Sequence, residues 1–375
     1  MQDIFAILSQ PIIFIFALLG FIALVYVYGV SGYWIMRKMK VPGAKPLPYV
    51  GNLRDLAKAG GVHLGILEYY KKYGKVFSIC FGRQTSIVIA DPEMIKQIMV
   101  KDFHNFTERY NAFPPPKRQK GMFNAKYEDW KRIRSTLTPV FTSGKLKMMV
   151  PLIENSCNTL VDKIKDVADT ASQSVVFLLA GHETSSNTLS MTAYYLALNP
   201  EIQERLRCEI LIAQQTNPGK AVYDLIPDLE YLEWVINEVQ RLSPPAHMVN
   251  RKCSNEYTIN GITIPAGMQV VFPIYSLHHD PEAWPEPERF DPERFRDPAK
   301  ASRHPFQFLP FGEGPRNCIG KRFALLEVKI TLVNILTKYR FVRCPETQVP
   351  LKMIPGFTLI PKDGVFLRIE SCTNT

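Results

Sequence analysis

The chain has 375 residues, of which 46% are hydrophobic, and its lysines and arginines exceed its aspartates and glutamates by ten. This apolar content supports a sizeable buried core and excludes general disorder. The positive charge favours acidic partners or an anionic membrane surface, but no basic block with interleaved aromatic residues indicates nucleic-acid binding. Seven cysteines, an odd number without a C-x-x-C pair, indicate a reduced, cytosol-facing compartment.

The amino-terminal segment predicts a membrane anchor. Residues 4–36 carry no charged side chain and are followed at once by RKMK, a length sufficient to span a bilayer. Because the positive charge follows the apolar stretch, a cleaved secretory signal is disfavoured. The alternative, a buried core helix, is disfavoured by the proline and glycines of the stretch. We expect a single-pass anchor with its basic stop segment at residues 1–40, and one cytosolic domain at residues 41–375.

The rest of the chain predicts a mainly α fold with minor antiparallel β structure. Helices are expected at HLGILEYYKKYG, at DPEMIKQIMVKDF with Asp91 as cap, and in an apolar stretch from about Ser174 to Leu198. EIQERLRCEILIAQQ and LEYLEWVINEVQRLS continue the helical pattern. Hairpins are expected at the Gly82-Arg83 and Asn260-Gly261 turns. The end, VPLKMIPGFTLIPKDGVFLRIES, indicates another small sheet.

A glycine-rich loop, FGEGPRNCIG, places Cys318 directly before a long helical pattern. Backbone N–H groups at a helix start can point at the sulfur, and such a place favours thiolate over thiol. This environment suits a nucleophile, an iron ligand or a buried small apolar residue. The residues alone leave these three readings open.

Phe311, Gly314, Arg316, Cys318 and Gly320 match F-x-x-G-x-R-x-C-x-G, so the chain resembles the cytochrome P450 family by its haem-binding signature. The resemblance implies haem b with Cys318 as the proximal thiolate, Arg316 as a propionate contact and Phe311 as the aromatic neighbour of the sulfur. A thiolate ligand suits an oxygen-activating haem because its electron donation favours O–O cleavage.

The segment AGHETSS resembles the family's oxygen-activation motif. Ala180 and Gly181 then let a helix pass close to the porphyrin. Glu183 and Thr184 become the catalytic residues that relay protons. Without the resemblance, this segment is equally typical of a packed helix interior.

A charged pattern on a predicted helix carries a further expectation. EVQR, which by itself indicates only a surface ion pair, resembles the family's E-x-x-R. Glu238, Arg241 and Arg294 then form a buried network that holds the loop under the haem, a structural role.

The family's W-x-x-x-R is matched by Trp130 and Arg134, whose side chains are then expected at the haem propionates. Arg251 occupies another position that contacts a propionate, and Arg109 is a further candidate.

Two stretches, WKRIRSTLTPVFTSGKLKMMVPLI and VPLKMIPGF, resemble the microsomal clan, family 3, which contains xenobiotic and steroid oxidisers and thromboxane synthase. This resemblance implies a lipophilic small-molecule substrate and an endoplasmic reticulum membrane location. It also implies NADPH electrons through a flavoprotein reductase, with cytochrome b5 as a second candidate partner.

One departure from the family pattern concerns the middle of the chain. Family members carry a large block before the oxygen-activating helix, whereas here Thr170 is followed almost directly by ASQSVVFLLAGHETS. The missing block corresponds to the helices that cover the substrate pocket. Remaining candidates for the pocket wall are residues 103–123, residues 246–249 and Phe357.

Three hypotheses follow from these patterns. The first is a membrane-anchored haem-thiolate monooxygenase. The second is a truncated, non-catalytic isoform or incomplete gene model that at most binds haem. The third is a cysteine-dependent hydrolase built on Cys318, for which no histidine partner at a motif spacing is present.

Overall fold

A computed structural model describes residues 2–110, 122–123, 125–163, 177–355 and 358–372. The fold is mainly α with small sheets, as predicted. The Thr170–Ala171 junction and Phe357 lie outside the described residues. The helices are α1 (Gln2–Gly29), α2 (Ser31–Met39), α3 (Leu53–Lys58), α4 (Val62–Tyr73), α5 (Pro92–Lys96), α6 (Tyr127–Leu137), α7 (Ser143–Lys163), α8 (Phe177–Leu198), α9 (Pro200–Thr216), α10 (Val222–Leu225), α11 (Glu230–Leu242), α12 (Ile274–His278) and α13 (Lys321–Lys338).

The strands are short and form four sheets. They are β1 (Val76–Phe81), β2 (Gln84–Ile89), β3 (Val249–Lys252), β4 (Tyr257–Ile259), β5 (Ile262–Ile264), β6 (Gln269–Phe272), β7 (Tyr339–Val342), β8 (Met353–Pro355), β9 (Leu359–Pro361) and β10 (Arg368–Ser371). The largest sheet has the order β1-β2-β6-β3, and the others pair β4 with β5, β7 with β10 and β8 with β9. All of these pairings are antiparallel except β2 with β6, which is parallel.

The expected single anchor helix is divided in two. Within the described residues no single helix is long and apolar enough to cross a bilayer; Ile13–Gly29 and Ser31–Met39 qualify only as a pair, bent by 47°. The bend lies where the domain contacts α1: Arg83 covers the Tyr28 ring at 3.4 Å and the Tyr49 hydroxyl donates to the Val25 carbonyl at 2.5 Å. A Cβ on Gly29 would lie 2.6 Å from the Tyr49 ring, so glycine permits this close approach.

The structure confirms the predicted turns and helix cap. β1 and β2 pair as a hairpin that turns at Gly82 and Arg83, with Phe81 opposite Gln84. The Asp91 carboxylate caps α5 by accepting from the Met94 N–H at 2.9 Å. At the predicted Asn260-Gly261 turn both residues have positive φ, 47° and 75°, as this hairpin type requires.

A small apolar cluster joins α7 to α13, and two larger hydrophobic cores organise the rest of the described residues. One lies on the four-stranded sheet and includes Ile79, Val88 and Phe272. The other lies between α8, α9, α11 and α13 and includes Leu232, Val235 and Val333. α11 presents one apolar stripe to its neighbours, whereas α13 is buried on every side over residues 328–333. Burial of these apolar surfaces is the main term that stabilises such an assembly.

A buried carboxylate joins α11 to the segments that follow α12. Glu238 is fully buried and accepts two bonds from the Arg241 guanidinium, at 2.7 and 2.8 Å. Arg294 lies 3.5 Å away, and the Asp291 N–H donates to Glu238 at 2.9 Å. Burial raises the pKa of Glu238, and Arg241 opposes that rise. The structure therefore brings Glu238, Arg241 and Arg294 together in one buried network.

This network reaches the loop that carries Cys318. Arg241 donates to the His278 carbonyl at 2.9 Å, and the His278 Nε2 accepts from the Leu309 N–H at 3.0 Å. The Leu309 carbonyl in turn accepts from the Gly312 N–H at 3.0 Å. The start of the glycine-rich loop is thus connected to α11 by consecutive hydrogen bonds.

Removing the arginine of this network should strongly destabilise the fold. Arg241→Met leaves Glu238 buried beside Arg294 alone, and we expect the free energy of unfolding to fall by about 3–5 kcal/mol. Arg132→Met is the matched control, because Arg132 pairs with Asp129 at the same i,i+3 spacing with side chains 72% and 40% exposed; its effect should stay within about 0.5 kcal/mol. Urea unfolding measures both. Equal losses of unfolding free energy in Arg241→Met and Arg132→Met would show that the buried network stabilises the fold no more than an exposed ion pair.

Four buried histidines lie on α4, on α12 and in the segments that adjoin α12. His63, His247, His278 and His279 are each at most 5% exposed. Burial lowers the pKa of His63 and His247 to about 4 and of His279 to about 3, and lowers the pKa of His278 well below its usual value. The unfolded chain takes up protons below about pH 6.5 that the native chain excludes. These groups therefore contribute their full stability above about pH 6.5.

We expect the free energy of unfolding to fall as the pH decreases from about 6.5 to 4. His247→Leu should reduce this slope by about 1.4 kcal/mol per pH unit, because one proton uptake is removed. The measurement is urea unfolding at several pH values across this window. Met248→Leu, a neighbouring change without a titrating group, should keep the parental slope. A parental slope in His247→Leu as well would contradict the assignment to this histidine.

Candidate functional site

The loop before α13 holds Cys318 by backbone geometry. Gly312 and Gly314 have positive φ, 66° and 75°, and a Cβ on Gly314 would collide with the Met99 carbonyl oxygen. The Cys318 N–H donates to the Phe311 carbonyl at 2.9 Å, and Gly320 is the N-cap of α13. The signature glycines thus close a tight turn that presents the sulfur at the start of a helix.

The Cys318 thiol is open to solvent on one side, and protein surrounds it on the others. Burial raises its pKa, while the backbone N–H groups of Gly320 and Lys321 and the charge of Arg134 act in the opposite direction. The helix start favours the thiolate, as expected, but desolvation of the thiol outweighs this effect. A coordinated metal ion would reverse this balance, because it deprotonates a bound thiol outright.

Three arginines converge beside this loop. Arg251 and Arg316 are buried, and burial together with mutual repulsion lowers the pKa of Arg251 well below its usual value. Burial, followed by the charge of Arg316, lowers the pKa of Arg109 to about 10; burial also lowers that of Arg316 to about 10. The Nε atoms of all three have no hydrogen-bond partner among the described residues. Clustered cations with free donors form a site for anionic groups.

Arg134 and Trp130 support the loop and its arginine. Arg134 donates to the Asn317 carbonyl at 2.7 Å and to its side-chain oxygen at 2.8 Å. Arg316 lies over the Trp130 ring at 4.5 Å and donates to the Ala125 carbonyl at 3.0 Å. In this structure α6 thus contacts the Cys318 loop through Asn317 and Arg316. A propionate contact by Trp130 or Arg134 stays a prediction.

On α8, the residues of the oxygen-activation motif lie in consecutive helical positions. Ala180 lies within this helix, and a Cβ on Gly181 would meet no atom within 4 Å, so open space adjoins the helix there. The Thr184 carbonyl accepts from the Thr188 hydroxyl at 2.9 Å. The Glu183 carboxylate accepts a hydrogen bond from the Thr358 hydroxyl.

Sequence reasoning missed three of these partners. Asn317 stands between two signature residues and could have been suspected from its place. Ala125 and Thr358 carry no motif; their roles come from long-range packing alone. Two surface cavities, of about 630 and 400 Å³, lie elsewhere, lined by residues of the 282–307 segment and, mainly, of α3 and α4.

The donor set around Cys318 fits a haem. Within the described ranges no group of three or more His, Cys, Asp and Glu side chains could hold a metal ion, so a bare metal site is not formed there. Among the described residues, the groups that act on the thiol are the backbone N–H groups of Gly320 and Lys321 and two arginines, Arg134 and Arg109. One thiolate beside three arginines with free donors suits an iron macrocycle that carries carboxylates.

Comparison with known proteins agrees with this chemistry. Residues 41–176 and 168–368 match the sequence model described as Cytochrome P450. Cytochrome P450 3A16 of Mus musculus is 32% identical over 501 aligned positions, which cover 98% of each chain. Cytochrome P450 3A41 of Mus musculus is 32% identical over 482 positions, covering 93% of this chain and 94% of the relative. Cytochrome P450 3A9 of Rattus norvegicus is 31% identical over 488 positions, covering 94% and 96%. The chain therefore belongs to the cytochrome P450 family of monooxygenases and is similar to its family 3 members.

Proposed function

We propose that this chain inserts one oxygen atom of O₂ into a C–H bond of a lipophilic small molecule. The second oxygen atom leaves as water, with two electrons and two protons supplied to the site. The observation that carries the proposal is the placement of Cys318 at the start of α13 beside three arginines with unpartnered nitrogens. Bound haem would supply the oxygen-activating chemistry.

The protein's own groups would perform five tasks at this site. Cys318 provides the sulfur ligand in the loop shaped by Phe311, Gly314 and Gly320. Arg109, Arg251 and Arg316 neutralise the two propionates. Ala180 and Gly181 keep one side of α8 small. Glu183 and Thr184 hold and deliver protons, and Arg134, through Asn317, holds the loop.

The partners follow from family resemblance and from the charge of the chain. Electrons come from NADPH through a flavoprotein reductase, with cytochrome b5 as a second donor. An excess of ten positive charges suits an acidic partner surface. The uncharged residues 4–36 and the bent α1–α2 pair support a single-pass anchor in the endoplasmic reticulum membrane with a cytosolic domain.

Loss of the sulfur ligand should abolish the thiolate spectrum. We expect the reduced, carbon-monoxide-bound chain in membranes to show a red-shifted Soret band, and Cys318→Ala to lose it, because Cys318 is the proposed source of the thiolate. Cys208→Ala, which removes an exposed free cysteine on α9, should retain the parental band. Absorption spectra of equal amounts of expressed chain measure this. A thiolate band that survives in Cys318→Ala would overturn the ligand assignment.

The second candidate function is a truncated isoform that binds haem without catalysis. It is favoured because the family match is broken into two segments that overlap at residues 168–176, around the Thr170–Ala171 junction. The alignment with the first mouse relative also runs over 501 positions, whereas the chain has 375 residues. Since 501 − 375 = 126, at least 126 positions of that relative are aligned with a gap in this chain.

On this proposal, weak or absent turnover accompanies an intact thiolate site. Product formation with reductase and NADPH, measured beside the carbon-monoxide spectrum, separates the two candidates. A chimera that carries the relative's block between Thr170 and Ala171 should gain turnover if the block supplies the pocket cover. Full turnover of the chain as it stands would reject the truncated, non-catalytic candidate.

A further inference from the structure

The Glu183 carboxylate is bound by a residue from a distant part of the chain. Thr358 lies just before β9 and is 2% exposed, and its hydroxyl donates to the Glu183 Oε1. Within the described ranges no lysine or arginine forms an ion pair with Glu183. The hydroxyl of Thr358 is thus the partner that defines where this carboxylate lies.

A second bond, one helical turn further along α8, supports this contact. Asn187 is 5% exposed, and its Nδ2 donates to the Leu359 carbonyl at 2.8 Å. The Leu359 N–H in turn donates to the Pro245 carbonyl at 2.8 Å. Because Thr358 and Leu359 are consecutive, the Asn187 bond fixes the height of the Thr358 hydroxyl along α8. The start of β9 is therefore held from two sides, by α8 and by the loop after α11.

The chemistry of the pair makes it directional. A hydroxyl that donates to an ionised carboxylate forms a charge-assisted bond, which is stronger than a bond between neutral groups. Threonine is β-branched, so its χ1 angle and the direction of its hydroxyl are restricted. A glutamate side chain without such a partner has several accessible rotamers. The bond therefore selects one carboxylate position.

We propose that Thr358 is a positioning residue that holds the Glu183 carboxylate in the orientation from which it delivers protons. The inference rests on the proposed monooxygenase function, which assigns proton delivery to Glu183. It adds a residue outside the helix motif to that task and connects the β8–β9 hairpin to the proton path.

The experiment combines a coupling measurement with a spectroscopic one on the full chain. Urea unfolding of Thr358→Val, Glu183→Gln and the double variant gives the coupling between the two side chains, and we expect the folding constant to show non-additivity of roughly tenfold. The infrared stretching band of carbon monoxide on the reduced, haem-loaded chain then reports the electrostatic surroundings of the bound gas. Thr358→Val should displace the band toward its position in Glu183→Gln, and Thr358→Ser should restore it.

Thr263→Val is the matched control, because Thr263 hydrogen-bonds only across the exposed β4–β5 hairpin to Thr258 at 3.1 Å; it should leave both measurements unchanged. Additive effects of Thr358→Val and Glu183→Gln on the free energy of unfolding would show that the two side chains are not in contact. Coupling with an unmoved band would reduce Thr358 to a structural tie and overturn the positioning role. A parent chain that forms no carbon-monoxide complex would refute the proposed function, and the positioning role with it, while the coupling would still show whether the contact exists.

Discussion

A carboxylate with no exposed surface, Glu238, is the constraint on which the arrangement of this domain depends. Such a group is tolerated only where cations and N–H donors surround it. Arg241, Arg294 and the Asp291 N–H meet this need, and Arg241 continues to the His278 carbonyl. Since His278 in turn accepts from Leu309, the requirement of one buried charge extends to the loop that presents Cys318. Stability and the geometry of the site are therefore joined through one set of hydrogen bonds.

The site itself combines groups that are unfavourable in isolation. Arg109, Arg251 and Arg316 repel one another, and the Cys318 thiol has its pKa raised by burial. Both costs would be relieved by one ligand that brought a metal ion to the sulfur and carboxylates to the arginines. These residues therefore fit a haem, whose binding would offset the cost of assembling like charges.

The position of α8 depends on contacts between distant segments. Glu183 and Asn187 of α8 both bind the chain at the start of β9, which is itself bound to the loop after α11. These tethers would keep α8 in register even where the block that covers the pocket in relatives is proposed to be absent. Retention of the haem groups and loss of the pocket cover are therefore compatible properties of one chain.

The sequence by itself determined the family, through the spacing of Phe311, Gly314, Arg316 and Cys318, and the mainly helical class, through its periodic apolar patterns. Short-range signals such as the Asp91 cap and the Asn260-Gly261 turn were equally readable, since each depends on neighbouring residues. Tertiary structure alone decided the raised pKa of Cys318, because the desolvation that causes it comes from surrounding protein. It also decided the division of the anchor helix beside Tyr49 and the pairing of Thr358 with Glu183, since contacts across 175 positions of chain leave no trace in local pattern.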